Sequence, residues 1–256
     1  MVFVPVLVLM AFQVPQYVLQ SVNPLLSTLY SLAMMAVYVL VVPFFQGGIL
    51  GMADEALDGR TSLGAFVAAG TANYVSMLGA YLAILAANVV LGIVAALLFV
   101  AGGLAAYTSG DAGTGVAAIG AVVVAGAVLA LVYLLLVIFV QFYGQAIVLD
   151  DEGAVGGLKR SLSVVRHNLL ATVGYTLLLA VVGMVAGLVF GLASIAMSPT
   201  SAAALGVPAL SLPAVVLVAV VVALLGSLMG GVFGTYSVAF YRALTRDRPA
   251  GEPTTQ

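Results

Sequence analysis

The chain has 256 residues, 64% hydrophobic and 6% charged, with a mean hydropathy of +1.28 and a formal charge of −2. Soluble domains carry about 25% charged residues, so too few ionised groups exist here to cover a water-facing surface, and lipid is the solvent that fits. The lack of Cys excludes disulfides and thiolate chemistry, and a single His excludes a multi-histidine metal site.

Crossing about 30 Å of hydrocarbon takes roughly 20 apolar helical residues. Six stretches qualify: Val2–Gln20, Leu25–Leu50, Tyr74–Ala101, Val116–Leu149, Leu169–Met197 and Ala214–Tyr241, none containing Asp, Glu, Lys, Arg or His. The expected fold is an all-α membrane protein, a six-transmembrane helix bundle forming one domain over residues 1–245, with 246–256 a disordered tail. The first span contains Pro5 and Pro15 and places Gln13, Gln16 and Gln20 on one face. Without a basic n-region or a small-residue cleavage site before Pro24 it reads as a helix rather than a signal peptide; a start upstream of Met1 stays open. Ser21–Pro24 reads as a tight turn, Tyr107–Gly115 as a polar loop, and Ser198–Pro213, with Pro199, Pro208 and Pro213, as a stretch where helix stops.

Orientation follows from the basic residues. Arg60 lies in the second connector, Lys159, Arg160 and Arg166 in the fourth, and Arg242, Arg246 and Arg248 in the tail, which accounts for all seven. Six spans place them on one side, facing a single opposite charge, Asp111. The positive-inside rule makes that side cytoplasmic, with both termini there and the protein multi-pass in the cell membrane.

The two main charged junctions look alike. Phe44/Phe142, Ile49/Ile147, Ala56/Ala154 and Gly59/Gly157 are identical in a gapless alignment, and Ser62-Leu63 meets Ser161-Leu162 after one inserted residue. We read a parallel internal duplication of helix, cytoplasmic segment and helix, each segment forming a short interfacial helix. In the second, Val155, Leu158, Leu162, Val165 and Leu169 make an apolar stripe, Val164 falls on the polar side, and Lys159, Arg160 and Arg166 are candidate contacts for anionic lipid headgroups.

Glycine recurs at every fourth position as Gly183, Gly187, Gly191 and as Gly226, Gly230, Gly234, the spacing of close helix packing in lipid, with a sliding hinge as the less favoured alternative. Gln13, Gln16, Gln46, Asn88, Gln141 and Gln145 are the candidate intramembrane polar track. Interhelical hydrogen bonding explains them more simply than a solute path, because coupled pathways usually contain an intramembrane carboxylate or base. The acidic clusters Asp54/Glu55/Asp58 and Asp150/Asp151/Glu152 read as helix-start and solvated charges, with an oxygen-ligand metal site the less favoured alternative. Phe44, Phe45, Tyr74, Phe142, Tyr143, Tyr236, Phe240 and Tyr241 read as an interface belt built without Trp.

The segments Phe44–Leu63 (FFQGGILGMADEALDGRTSL), Ala72–Tyr74 (ANY) and Phe142–Asn168 (FYGQAIVLDDEGAVGGLKRSLSVVRHN) resemble uncharacterised six-helix archaeal membrane families related to the membrane domain found beside some glycerophosphodiester phosphodiesterases. The likeness runs to Leu244 and implies a six-helix integral membrane domain. It implies no catalytic residues, since the phosphodiesterase chemistry belongs to a separate soluble domain. The expected function is a non-enzymatic structural or accessory membrane component without a cofactor, in contact with lipid and not with nucleic acid. The alternative is a small-solute or lipid transporter. An intramembrane enzyme ranks third, for want of a nucleophile–base pair.

Overall fold

The computed structural model describes residues 23–110, 112–197, 206 and 210–246. Every described element is a helix: α1 Pro24–Leu57, α2 Leu63–Ala72, α3 Tyr74–Thr108, α4 Ala112–Val140, α5 Tyr143–Leu149, α6 Ala154–His167, α7 Leu169–Met197 and α8 Leu212–Arg246. Among the described residues, five stretches are long and apolar enough to cross a membrane: Leu25–Leu57, Tyr74–Thr108, Gly113–Leu149, Leu169–Met197 and Pro213–Arg246. They coincide with five of the expected spans; Val2–Gln20 lies outside the described residues. Most of their side chains stay exposed, Phe99 at 74% and Leu188 at 63% among them. A helical membrane protein offers lipid such an apolar exterior, because all its backbone groups are paired within the helices.

Local chemistry sets the helix ends. Asn23 caps α1, its Oδ1 accepting from the amides of Leu25 (2.9 Å) and Leu26 (3.2 Å), with Pro24 in the first turn, where no amide donor is needed. α1 ends in a Schellman arrangement: the Arg60 amide bonds to Glu55 O, the Gly59 amide bonds to Ala56 O, and Gly59 takes φ +78°. Gly110, at φ +58°, stands two residues past the end of α3. The expected Tyr107–Gly115 loop is therefore shorter, since Tyr107 and Thr108 belong to α3 and Gly113 to Gly115 belong to α4.

The chain forms two compact units. The first contains α1, α2, α7 and α8. Its α2 runs back along the end of α1: a methyl group added to Gly48 would strike Phe66, one added to Gly51 would strike Ala69, and one added to Gly70 would strike Phe44. Phe44, Phe45 and Phe66 meet edge to face with centroids 5.5–5.7 Å apart, and the Tyr74 hydroxyl donates to Leu40 O at 3.0 Å. On α8, Gly234 faces Ile49 and Ala53 of α1. The Tyr175 ring of α7 stacks on Phe240 of α8, centroids 4.5 Å apart.

The second unit contains α3 (from Val75), α4, α5 and α6. Met77, Ala80, Tyr143 and Ile147 form its buried cluster, with Ile84, Val148, Ala154 and Leu158 packed against it. α6 runs antiparallel to the α4–α5 rod, Gly157 against Tyr143 and Ile147, and Ser161 against Phe139 and Phe142. The two expected interfacial segments are thus the returning arms of helical hairpins, and each passes into its next long helix through one asparagine, Asn73 or Asn168.

Two details differ from the sequence reading. The buried face of α6 is Gly157, Ser161, Val164 and Val165, while Val155 is 65% exposed and Leu169, at the start of α7, 52% exposed. In lipid an apolar stripe need not be the core, and small residues mark where helices approach closely. Nor do the hairpins share the gapless register. Gly59 lies in the first turn, whereas Gly157 lies within α6 and Asp151 takes the left-handed conformation (φ +57°) in the second turn.

Candidate functional site

The candidate residues fall into an intramembrane polar set and a charged set at the hairpin ends. Gln13 and Gln16 lie outside the described residues. Gln46 sits half-buried on α1 in the first unit; Asn88, Gln141 and Gln145 belong to the second. The Asn88 Nδ2 donates to Ile84 O, one turn back on α3, at 2.8 Å, so one amide donor in the apolar stretch is engaged by its own helix. Asn88 also edges a groove of about 560 Å³ between α3 and α4, otherwise lined largely by apolar and small residues such as Leu91, Gly92, Ala95, Gly126 and Ala130. Gln141 occupies the break between α4 and α5, and Gln145 is 7% exposed on α5.

That break exposes a site residue that sequence reasoning missed. α4 ends at Val140 and α5 begins at Tyr143, so the helix is interrupted there. Ser161, fully buried on α6, bridges the interruption: its hydroxyl donates to Phe139 O at 2.7 Å and accepts from the Phe142 amide at 3.1 Å. The available signal was the serine that recurs in both junctions, Ser62 and Ser161. Ser62 instead caps α2, accepting from the Ala65 amide at 3.0 Å and donating to Glu55 Oε2 at 3.3 Å.

The charged set divides by pairing. Arg160 Nε contacts Asp150 Oδ2 at 2.9 Å, joining α6 to the end of α5. In the first unit, Arg242 of α8 contacts Asp54 Oδ1 at 2.6 Å and Asp58 Oδ1 at 3.7 Å. Asp54 and Asp58 thus hold an arginine, and no group of three His, Asp or Glu among the described residues is placed to hold a metal ion. Lys159 and Arg166 are exposed on α6. The His167 Nδ1 lies 2.7 Å from Ser163 O.

Among the described residues the glycine runs meet few neighbours. A methyl on Gly183, Gly187, Gly191 or Gly230 would meet nothing within 4 Å among the described residues, and one on Gly226 would make ordinary contact with Phe190 at 3.7 Å. Gly234 makes the close approach, with Ile49 at 3.3 Å. Closer approaches occur in the hairpins, at Gly48, Gly51, Gly70 and Gly157, and between α3 and α4, where a methyl on Gly102 would strike Val122. Fourfold spacing records a smooth helix face but not which neighbour comes up to it.

Comparison with curated proteins and with solved structures finds no match in either. A family model described as a domain of unknown function, DUF7847, matches residues 1–244. Nearly the whole chain, both hairpins included, lies inside that match, and the protein belongs to the DUF7847 family.

Proposed function

We propose that this protein is a six-span, multi-pass component of the cell membrane, with both termini in the cytoplasm and a structural or accessory role rather than a catalytic one. The observation that carries the reading is where tight packing falls. Most buried side chains lie in the hairpins and the helix ends beside them, Leu50, Ala53, Met77, Tyr143, Ile147 and Val165 among them, with Ser27, Ala223 and Ser227 buried along the long helices. The apolar stretches beyond remain largely exposed. Asn88, the polar side chain near the middle of α3, has its amide donor engaged by its own helix. Firm hairpins on rods that meet lipid suit a component that positions others.

The first span in this reading is Val2–Gln20, and the basic residues mark the cytoplasmic side. The recurring order of long helix, turn, short returning helix and asparagine supports a duplicated hairpin unit. The second reading, a small-solute or lipid transporter, draws on the groove beside Asn88.

Purified protein in sealed liposomes distinguishes the two. The accessory reading expects entrapped solutes and labelled lipids to move at protein-free rates, with Asn88→Leu unchanged. Movement above that background, reduced by Asn88→Leu, contradicts it.

A further inference from the structure

α6 shows two opposite faces. Gly157, Ser161, Val164 and Val165 are buried against the α4–α5 rod. At about 100° per residue, Lys159 and Arg166 lie on the far side of the helix, and both are exposed. Arg160 lies off to one side and is already paired with Asp150. Two cations therefore point away from the hairpin with no acidic side chain within ion-pair distance among the described residues.

Their height along the rod decides what they meet. Ser161 is level with the α4–α5 break, between Phe139 and Phe142. Because α6 runs back along α4, Arg166 lies five residues nearer the membrane centre, which puts it about 35 Å from Ala112 at 1.5 Å per residue. A hydrocarbon layer is about 30 Å thick. With Ala112 at the opposite edge, Arg166 stands just past the hydrocarbon, at phosphate depth, and Lys159 lies about 10 Å closer to water.

We infer that the outer face of α6 binds the headgroup of an anionic phospholipid, Arg166 contacting the phosphate and Lys159 contributing a second positive charge above it. Arg suits the phosphate-level position because its planar donors pair with two phosphate oxygens at once. This inference rests on the bilayer placement proposed above but not on the accessory role.

The test uses the full chain in nanodiscs of phosphatidylcholine containing a minority of phosphatidylglycerol, with protein-associated lipid counted by native mass spectrometry. Wild type enriches phosphatidylglycerol over its bulk fraction. Arg166→Gln and Lys159→Gln each lower the enrichment about fivefold, and the double variant abolishes it. Arg160→Gln keeps it, and inorganic phosphate does not displace the lipid. Unchanged enrichment in the double variant, equal loss in Arg160→Gln, displacement by free phosphate, or no enrichment in wild type overturns the proposal. An unaltered thermal transition shows that the surface variants remain folded. Solute movement in liposomes would defeat the accessory reading while leaving this lipid site standing.

Discussion

Replacing Ser161 with alanine tests whether one side chain holds the second hairpin together. The change removes a single oxygen from a fully buried position, so no sizeable cavity opens. What is lost is a bridge: the 2.7 Å bond to Phe139 O and the 3.1 Å bond from the Phe142 amide, at a point where α4 has stopped and α5 has not begun. Each buried backbone group left unsatisfied costs about 1–3 kcal/mol. Polar interactions in membrane proteins average nearer 0.6 kcal/mol, because their unfolded chains find other partners. Taking both bonds together, Ser161→Ala should destabilise by about 1–4 kcal/mol. Denaturation in mixed micelles, titrated with sodium dodecyl sulfate, measures this directly. Thr71→Ala is the control, since Thr71 Oγ1 bonds Val67 O on its own helix and is exposed; it should change stability by less than about 0.5 kcal/mol. If Ser161→Ala falls within the same margin, the break is held by something other than Ser161 and the reasoning is wrong.

The same assay checks further expectations. Gly51→Ala places a methyl group against Ala69 and should cost about 1–3 kcal/mol, whereas Gly187→Ala meets nothing within 4 Å among the described residues and should stay within about 0.5 kcal/mol. Arg242→Gln removes the contacts to Asp54 and Asp58; all three side chains are partly exposed, so a loss of about 1 kcal/mol that shrinks in high salt is expected, with most of the effect absent in an Asp54→Asn background. Asp151→Gly relieves a left-handed backbone position and should stabilise by about 0.5–1 kcal/mol; destabilisation would mean that the Asp151 side chain is needed in the turn.

The distribution of charge made the spans legible, because ionised groups are costly in hydrocarbon and their gaps trace the apolar rods. The helix ends were less legible. Apolarity falls at the first charges, yet α1 continues through Asp54 and Glu55 to Leu57, since a helix emerging into water needs no apolar surface. The short segments were readable as helices but not as hairpin arms, because an amphipathic pattern does not say whether its apolar side meets lipid or protein. Val164 shows this: it spoiled the stripe in the sequence and is 2% exposed in the structure. The break at Gln141-Phe142 was hidden, since no Pro or Gly marks it and the residue that stabilises it stands on another helix. The pairing of Arg160 and Arg242 was equally out of reach, because a charge names the kind of partner it needs and not its location.

Membrane placement, on which the function and the lipid site both depend, is tested most directly by labelling. The chain contains no Cys, so single cysteines can be read without background. Thr61→Cys and Ala243→Cys should be shielded from an impermeant maleimide in intact cells and react once the membrane is permeabilised, while Tyr107→Cys should react from outside. Labelling of Thr61→Cys and Ala243→Cys from opposite sides, or of Tyr107→Cys from the same side as both, would contradict the account.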